Sequence, residues 1–261
     1  ARLARPAVAR LRRPVSPPSS VREWNGGVEQ HDVLVVGAGP AGATAAYWLA
    51  ERGWDVVLLE RKRFPRDKTC GDGLTPRAVR QLWDMGLARP LEPFHAFGGL
   101  RAVAHDLVLE MEWPRHSELP QVGYVVPRRH LDEMVAARAV DAGAVLWQQS
   151  EAVEPLVEGG TVTGAVVKRK ELGTHEEVRA RYTVVADGSG SRFGRALGSA
   201  RDKSYPLGMA IRGYFESPLH DHPWIESHLD IRDRSGRSLP GYGWIFPVAD
   251  GTVNVGIGLL S

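Results

Sequence analysis

A single cysteine, Cys70, stands among the 261 residues. One thiol excludes an internal disulfide and argues against a cysteine-based metal site, whose ligands come in groups. The nine histidines never fall in an H-E-x-x-H or similar spacing, so metal-assisted catalysis finds no support. No apolar run approaches the roughly 20 residues needed to cross a bilayer. The turn Val36-Gly-Ala-Gly lacks the G-K-[ST] ending of an ATP-binding loop. Neither sign of charge dominates, with a net of +2. A reducing, cytoplasmic setting fits so little cysteine.

That balance hides an asymmetry. Residues 1–30 hold six Arg and two Glu, so the remainder is slightly acidic. This first segment is rich in Arg and Pro and shows no sustained periodicity, and it reads as a disordered tail. It is free of acids until Glu23, so a transit peptide and a start codon called too far upstream stand as alternatives. Nucleic acid is not expected as a partner, because the body carries no basic stripe or stacking motif.

What is present begins with Asp32-Val-Leu-Val-Val-Gly37-Ala-Gly39-Pro40-Ala41-Gly42, closed by Leu58-Leu-Glu60. The pattern is strand, glycine turn, Ala-rich helix over Ala41–Arg52, and second strand, Val56–Leu59. Gly37 permits the tight turn, Gly39 lets a pyrophosphate approach the backbone, and Gly42 lets helix and strand pack closely. The helix N-terminus offers free N–H groups and a positive dipole end to phosphate. Glu60, at the tip of the second strand, is placed to accept hydrogen bonds from a ribose diol. Gly53 stops the helix. The whole is a dinucleotide fingerprint rather than a bare glycine loop.

Further along, Thr75–Met85 and Pro127–Gly143 have helical patterns, the second with Leu131, Met134, Val135 and Ala139 on one face. Leu107–Trp113 alternates like a strand. Ala152–Val157 and Val162–Lys168 flank the turn signal Glu158-Gly-Gly-Thr161. Strand patterns follow at Val178–Ala186, Gly208–Phe215, His228–Ile231, Gly243–Pro247 and Val253–Leu260.

A second glycine site, Asp187-Gly188-Ser-Gly-Ser191-Arg192-Phe-Gly-Arg195, follows the strand ending at Ala186. Alone, Asp-Gly is a common turn. Paired with the first fingerprint, it fits FAD held in an extended form. The stretch Tyr242-Gly-Trp244-Ile-Phe246-Pro247 places three aromatic side chains at spacing two, on one face of a strand. Such a face is more often plain core than the wall of an apolar slot. Cys70 lies between Lys68 and Asp72, and its neighbours leave three roles open: inert thiol, nucleophile, or a residue lining a flavin site.

In order and wording, Gly37–Gly42, Glu60, Arg128 before Leu131-Asp132, and Asp187-Gly188 resemble FAD-dependent proteins of the aromatic hydroxylase superfamily. Lys68-Thr-Cys70-Gly71-Asp72-Gly73-Leu-Thr-Pro-Arg77 resembles the Cys-Gly loop of the geranylgeranyl reductase family. Pro240-Gly-Tyr242-Gly-Trp244-Ile-Phe246-Pro247 matches its P-x-Y-x-W-x-F-P motif. The wording of the loop is closest to the branch that reduces one isoprene unit of menaquinone.

The resemblance implies an α/β, glutathione-reductase-like FAD-binding fold with a β-rich substrate region. It implies FAD-binding segments at 31–96 and 124–204, and substrate segments at 97–123 and 205–261. For the cofactor it implies Gly37, Gly39, Pro40, Ala41, Gly42, Glu60, Arg61, Cys70, Gly71, Arg128, Val153, Asp187 and Gly188. For catalysis it implies Cys70, Tyr242 and Trp244. The implied reaction is reduction of a C=C bond in a polyprenyl chain, on a prenyl quinone or a geranylgeranyl lipid. Electrons would come from NAD(P)H or ferredoxin, at the inner face of the membrane, with Trp224 as a contact. The competing readings are an FAD-dependent monooxygenase or halogenase, whose W-x-W-x-I-P element the aromatic strand also resembles, and an inactive fragment. Two departures stand out. The D-G-x-x-S-x-x-R pattern has Gly at position 194, leaving Arg192 and Arg195 as alternatives. The family's later Gly-Asp segment is missing before Ser261, so the chain is expected to be C-terminally truncated.

Overall fold

The computed structural model describes residues 29–199, 202 and 204–260. The Arg/Pro-rich tail expected at 1–30 lies outside the described residues up to position 28. Along the chain the elements are β1 (Glu29–Val36), α1 (Pro40–Ala50), β2 (Val56–Leu59), β3 (Gly73–Leu74), α2 (Pro76–Asp84), α3 (Ala88–Leu91), β4 (His95–Phe97), β5 (Gly99–Ala104), β6 (Leu107–Glu112), β7 (Gly123–Val125), α4 (Arg128–Asp141), β8 (Val145–Trp147), β9 (Ser150–Glu158), β10 (Thr161–Arg169), β11 (Thr174–Val185), α5 (Arg192–Ala196), β12 (Gly208–Glu216), β13 (Trp224–His228), β14 (Gly241–Pro247) and β15 (Thr252–Leu260).

These strands form three sheets. The first has the order β8-β2-β1-β11-β10-β9. Its β8, β2, β1 and β11 run parallel, and the β9–β10–β11 meander adds antiparallel strands. Strand β1 is apolar on both faces because both are covered. Val33 and Val35 pack with α1 and α4, through Ala43, Ala46, Tyr47, Leu131, Val135 and Ala139. Leu34 and Val36 face the other way, toward Ala165, Val167, Val178 and Phe193 of α5. Alanines on α1 let α4 approach closely, which brings the start of α4 to the same end of the sheet as the start of α1.

The second sheet has the order β12-β15-β14-β13-β5-β6, and the third is the small β3-β7-β4. Register places Tyr242, Trp244 and Phe246 opposite Gly258, Gly256 and Asn254, and these opposite Ala210, Arg212 and Tyr214. The strand expected at His228–Ile231 instead runs Trp224–His228. Parallel pairing with β5 sets its register, and Gly99 makes room for the Trp224 ring, which a Cβ there would meet at 2.4 Å. Trp224 is thus packed against β5 and stays part-exposed. Strand β11 begins four residues earlier than its apolar pattern, because its pairing with β10 continues from Val178 back to Thr174.

Candidate functional site

The βα turn is locked by close contacts. Gly37 has φ +100°, and a Cβ on it would lie 2.7 Å from the Ala186 carbonyl oxygen, where β11 ends beside β1. A Cβ on Gly42 would sit 1.9 Å from the Gly37 oxygen, so no other residue fits without moving the helix. Gly39 has only the far tip of Arg66 within 4 Å, and Gly188, at φ +91°, has nothing. Backbone is therefore bare on both sides of a cleft of about 430 Å³ at the C-terminal ends of β1, β2 and β11. No acidic side chain fills the first turn of α1, leaving its N-terminus uncompensated.

The floor of this cleft is ionic. Glu60 is buried, and its backbone is stitched to both neighbours, its N–H to the Trp147 oxygen and its oxygen to the Ser150 N–H. Its carboxylate accepts from the Lys62 N–H at 2.9 Å and from Arg66 Nη2 at 2.8 Å. Arg66 Nη1 donates to Asp132 at 2.7 Å, and Arg128 grips the same carboxylate with Nε and Nη2 at 2.6 and 2.9 Å. Asp132 has no exposed surface. Burial opposes the charge on Arg128, but hydrogen bonding and charge attraction from Asp132, with smaller contributions from Cys70, together hold the guanidinium above its ordinary pKa.

Of the residues expected at a cofactor, Gly37, Gly39, Pro40, Ala41, Glu60, Arg61, Arg128, Asp187 and Gly188 line this one cleft. Gly42 packs behind it. Cys70 and Gly71 lie beyond its rim, on a loop whose Asp67 and Lys68 do reach it. Val153 is half-exposed and outside, while its neighbours Ser150, Glu151 and Ala152 line the wall. Arg192 borders the cleft, whereas Arg195 turns back to the Gly190 oxygen at 3.3 Å. Sequence reasoning missed Lys62, Arg66 and the pairing role of Asp132. Their meeting spans 66 positions, and no local motif announces it.

Tyr242 and Trp244 are away from the cleft, on β14. Their rings lie 5.8 Å apart, and those of Trp244 and Phe246 lie 6.3 Å apart. Trp244 is buried and Tyr242 is 47% exposed, so the aromatic row is covered at one end and open at the other. The cover is the Cys70 loop: a Cβ on Gly71 would meet the Phe246 ring at 2.9 Å and Trp244 Nε1 at 3.2 Å. Cys70 itself is exposed.

The cleft meets the needs of FAD on its own features. Bare glycine backbone, a helix N-terminus and the cations Arg61, Lys62, Arg66, Lys68, Arg128 and Arg192 suit a pyrophosphate. Glu60 keeps unused lone pairs for ribose hydroxyls.

Comparison with known proteins agrees. The chain is 43% identical over 230 residues to a menaquinone reductase of Mycolicibacterium smegmatis, covering 88% of this chain and 55% of that protein. It is 35% identical over 233 residues to digeranylgeranylglycerophospholipid reductase 1 of Methanopyrus kandleri, covering 88% of this chain and 58% of the relative. Among solved structures, a geranylgeranyl bacteriochlorophyll reductase-like protein of Thermoplasma acidophilum superposes with a TM-score of 0.73 at 28% identity, over 89% of this chain and 57% of that one. A myxobacterial chondrochloren halogenase superposes with a TM-score of 0.73 at 26% identity, over 88% and 53%. The chain spans about half the length of the curated relatives it matches. A model of the FAD binding domain matches residues 30–231, and the chain belongs to that family.

Proposed function

We propose that the chain is the FAD-holding part of a reductase that saturates a C=C bond in a polyprenyl chain, an isoprene unit of menaquinone or a geranylgeranyl group. The observation that carries this reading is one continuous arrangement. The cleft rim at Asp67 and Lys68 leads into the Cys70 loop, and that loop lies on the Trp244–Phe246 face. The chemistry FAD supplies when bound is two-electron reduction, a hydride to one alkene carbon while a proton reaches the other. The residues of this chain do the rest. Gly37, Gly39 and Gly188 admit the cofactor to the backbone, and Glu60 accepts from its ribose. Arg61, Lys62, Arg66, Arg128 and Arg192 balance its phosphates, and the Tyr242–Trp244–Phe246 row offers an apolar wall to an isoprenoid.

NAD(P)H or ferredoxin is the proposed electron donor, docking transiently. Among the described residues no helix is long and apolar enough to cross a membrane, and a peripheral position at its inner face suits a lipid substrate. The likeness to a halogenase sustains a second reading, in which oxygen takes the electrons. The test is anaerobic. The FAD-loaded protein, chemically reduced and freed of excess reductant, is mixed with a short prenyl quinone, any quinol formed is oxidised back to the quinone after separation from the protein, and the product is weighed. A gain of two hydrogens with return of the oxidised flavin spectrum supports the reductase. Reoxidation that needs oxygen and leaves the quinone unchanged supports the second reading and overturns the first.

A further inference from the structure

The Cys70 loop is tied down by a chain of hydrogen bonds that starts at Asp72, a carboxylate only 2% exposed. Asp72 Oδ1 accepts from the Arg128 backbone N–H at 3.2 Å, at the first residue of α4. Asp72 Oδ2 accepts from the Tyr214 hydroxyl of β12 at 2.5 Å and from Asn254 Nδ2 of β15 at 2.7 Å. Asn254 is fully buried; its Oδ1 accepts from Trp244 Nε1 at 2.9 Å, and its Nδ2 also reaches the Cys70 carbonyl at 3.3 Å. On the outer side Arg212 bonds to Asp67 at 2.5 Å and to the Lys68 carbonyl at 3.2 Å.

Every bond in this chain has a forced direction. An indole N–H can only donate and an ionised carboxylate can only accept, so the Asn254 amide cannot flip without losing both neighbours. Burial, then the Asp72 carboxylate, pushes the Tyr214 phenol well above its ordinary pKa, so its hydroxyl remains a donor. A buried polar chain is an expensive way to hold a loop that apolar contacts alone could cover. What it adds is a single geometry, joining the first turn of α4 at the cleft to the indole of Trp244.

We propose that Asp72 and Asn254, with Tyr214, form a latch that holds the Cys70 loop in register between the cofactor cleft and Trp244, as positioning residues for Cys70 and Trp244. The role rests on the reading that the cleft holds FAD and the aromatic row faces the isoprenoid.

Cys70 is exposed, so loop opening is read from hydrogen exchange of the buried Val126 amide, which donates to the Asp72 carbonyl at 2.9 Å. Rates are taken at one pH for all variants, under conditions where exchange follows the opening equilibrium. Asp72→Asn sets two amide donors against each other, and Asn254→Asp sets two carboxylates against each other. Each is expected to speed that exchange about tenfold, the usual scale for an unmatched buried polar pair. The exchange variant carrying both substitutions keeps net charge and shape and restores the bond between positions 72 and 254, while the Tyr214 hydroxyl then faces an amide N–H and the Cys70 carbonyl a carboxylate. It is expected about threefold or more below the faster single variant yet above the wild-type rate, a partial rescue that simple loss of packing would not produce. Tyr214→Phe removes a single oxygen and is expected to speed the same exchange severalfold, which keeps the test open if a charged variant fails to fold. Unchanged rates in the folded single variants, or an exchange variant as fast as the faster single, overturns the latch. No flavin or isoprenoid enters these rates, so failure to bind FAD defeats the functional reading and leaves them standing. Unchanged rates defeat the latch and leave FAD binding untouched.

Discussion

The cofactor cleft and the aromatic sheet are built by different means. At the cleft the decisive surface is backbone: Gly37, Gly39, Gly42 and Gly188 act by what they lack, within a few residues of a strand end. At the aromatic sheet the decisive surface is side chain. Its parts come from positions far apart, Asp72 with Tyr214 across 142 residues and Asn254 with Cys70 across 184. A backbone site tolerates change around it but none at its glycines. A side-chain site spreads its cost over many partners.

The largest expected effect breaks the ionic floor shared by both regions. Asp132→Ala leaves the largely covered Arg128 guanidinium without its carboxylate and Arg66 with Glu60 alone, and should cost about 3–5 kcal/mol, seen as a fall in the denaturant midpoint. Gly42→Ala, with a Cβ 1.9 Å from the Gly37 oxygen, should cost about 1–3 kcal/mol and weaken FAD binding, because it pries the helix from the turn. On the sheet side, Trp244→Phe strips the donor from Asn254 and should cost about 1–3 kcal/mol while leaving FAD affinity within twofold, which separates the two regions. The smallest effect concerns His95, whose ring nitrogen lies 2.8 Å from the His222 carbonyl and ties β4 to the turn before β13. Burial lowers its pKa below the ordinary 6.5, so the folded state binds fewer protons than the unfolded chain. Its contribution is present above pH 6.5 and is lost as pH falls through the lower folded value. The melting temperature should drop on acidification from pH 7 to 5, and less steeply in His95→Asn.

The same contrast explains what could be read from the sequence. The glycine fingerprint, the Glu60 strand tip and the Asp187-Gly188 turn are local, and each constrains its own neighbours within a few bonds. The Tyr242–Phe246 alternation was legible as one face of a strand, though not what lies on it. Arg66 was missed because its second carboxylate, Asp132 of α4, lies 66 positions away, and only the fold brings it beside Glu60 at the end of β2. Trp224–His228 escaped because its register depends on a parallel neighbour more than 120 positions away, and parallel pairing leaves no turn signal between partners.

The central claim, that the glycine-lined cleft binds FAD, is tested most directly by titrating the purified chain with FAD and following the quenching of flavin fluorescence. The account predicts a saturable one-to-one complex that Gly42→Ala weakens by about tenfold or more, as a misplaced pyrophosphate contact would, and that Trp244→Phe leaves intact. A chain that folds yet shows no saturable FAD binding, or binding indifferent to Gly42→Ala, would contradict it.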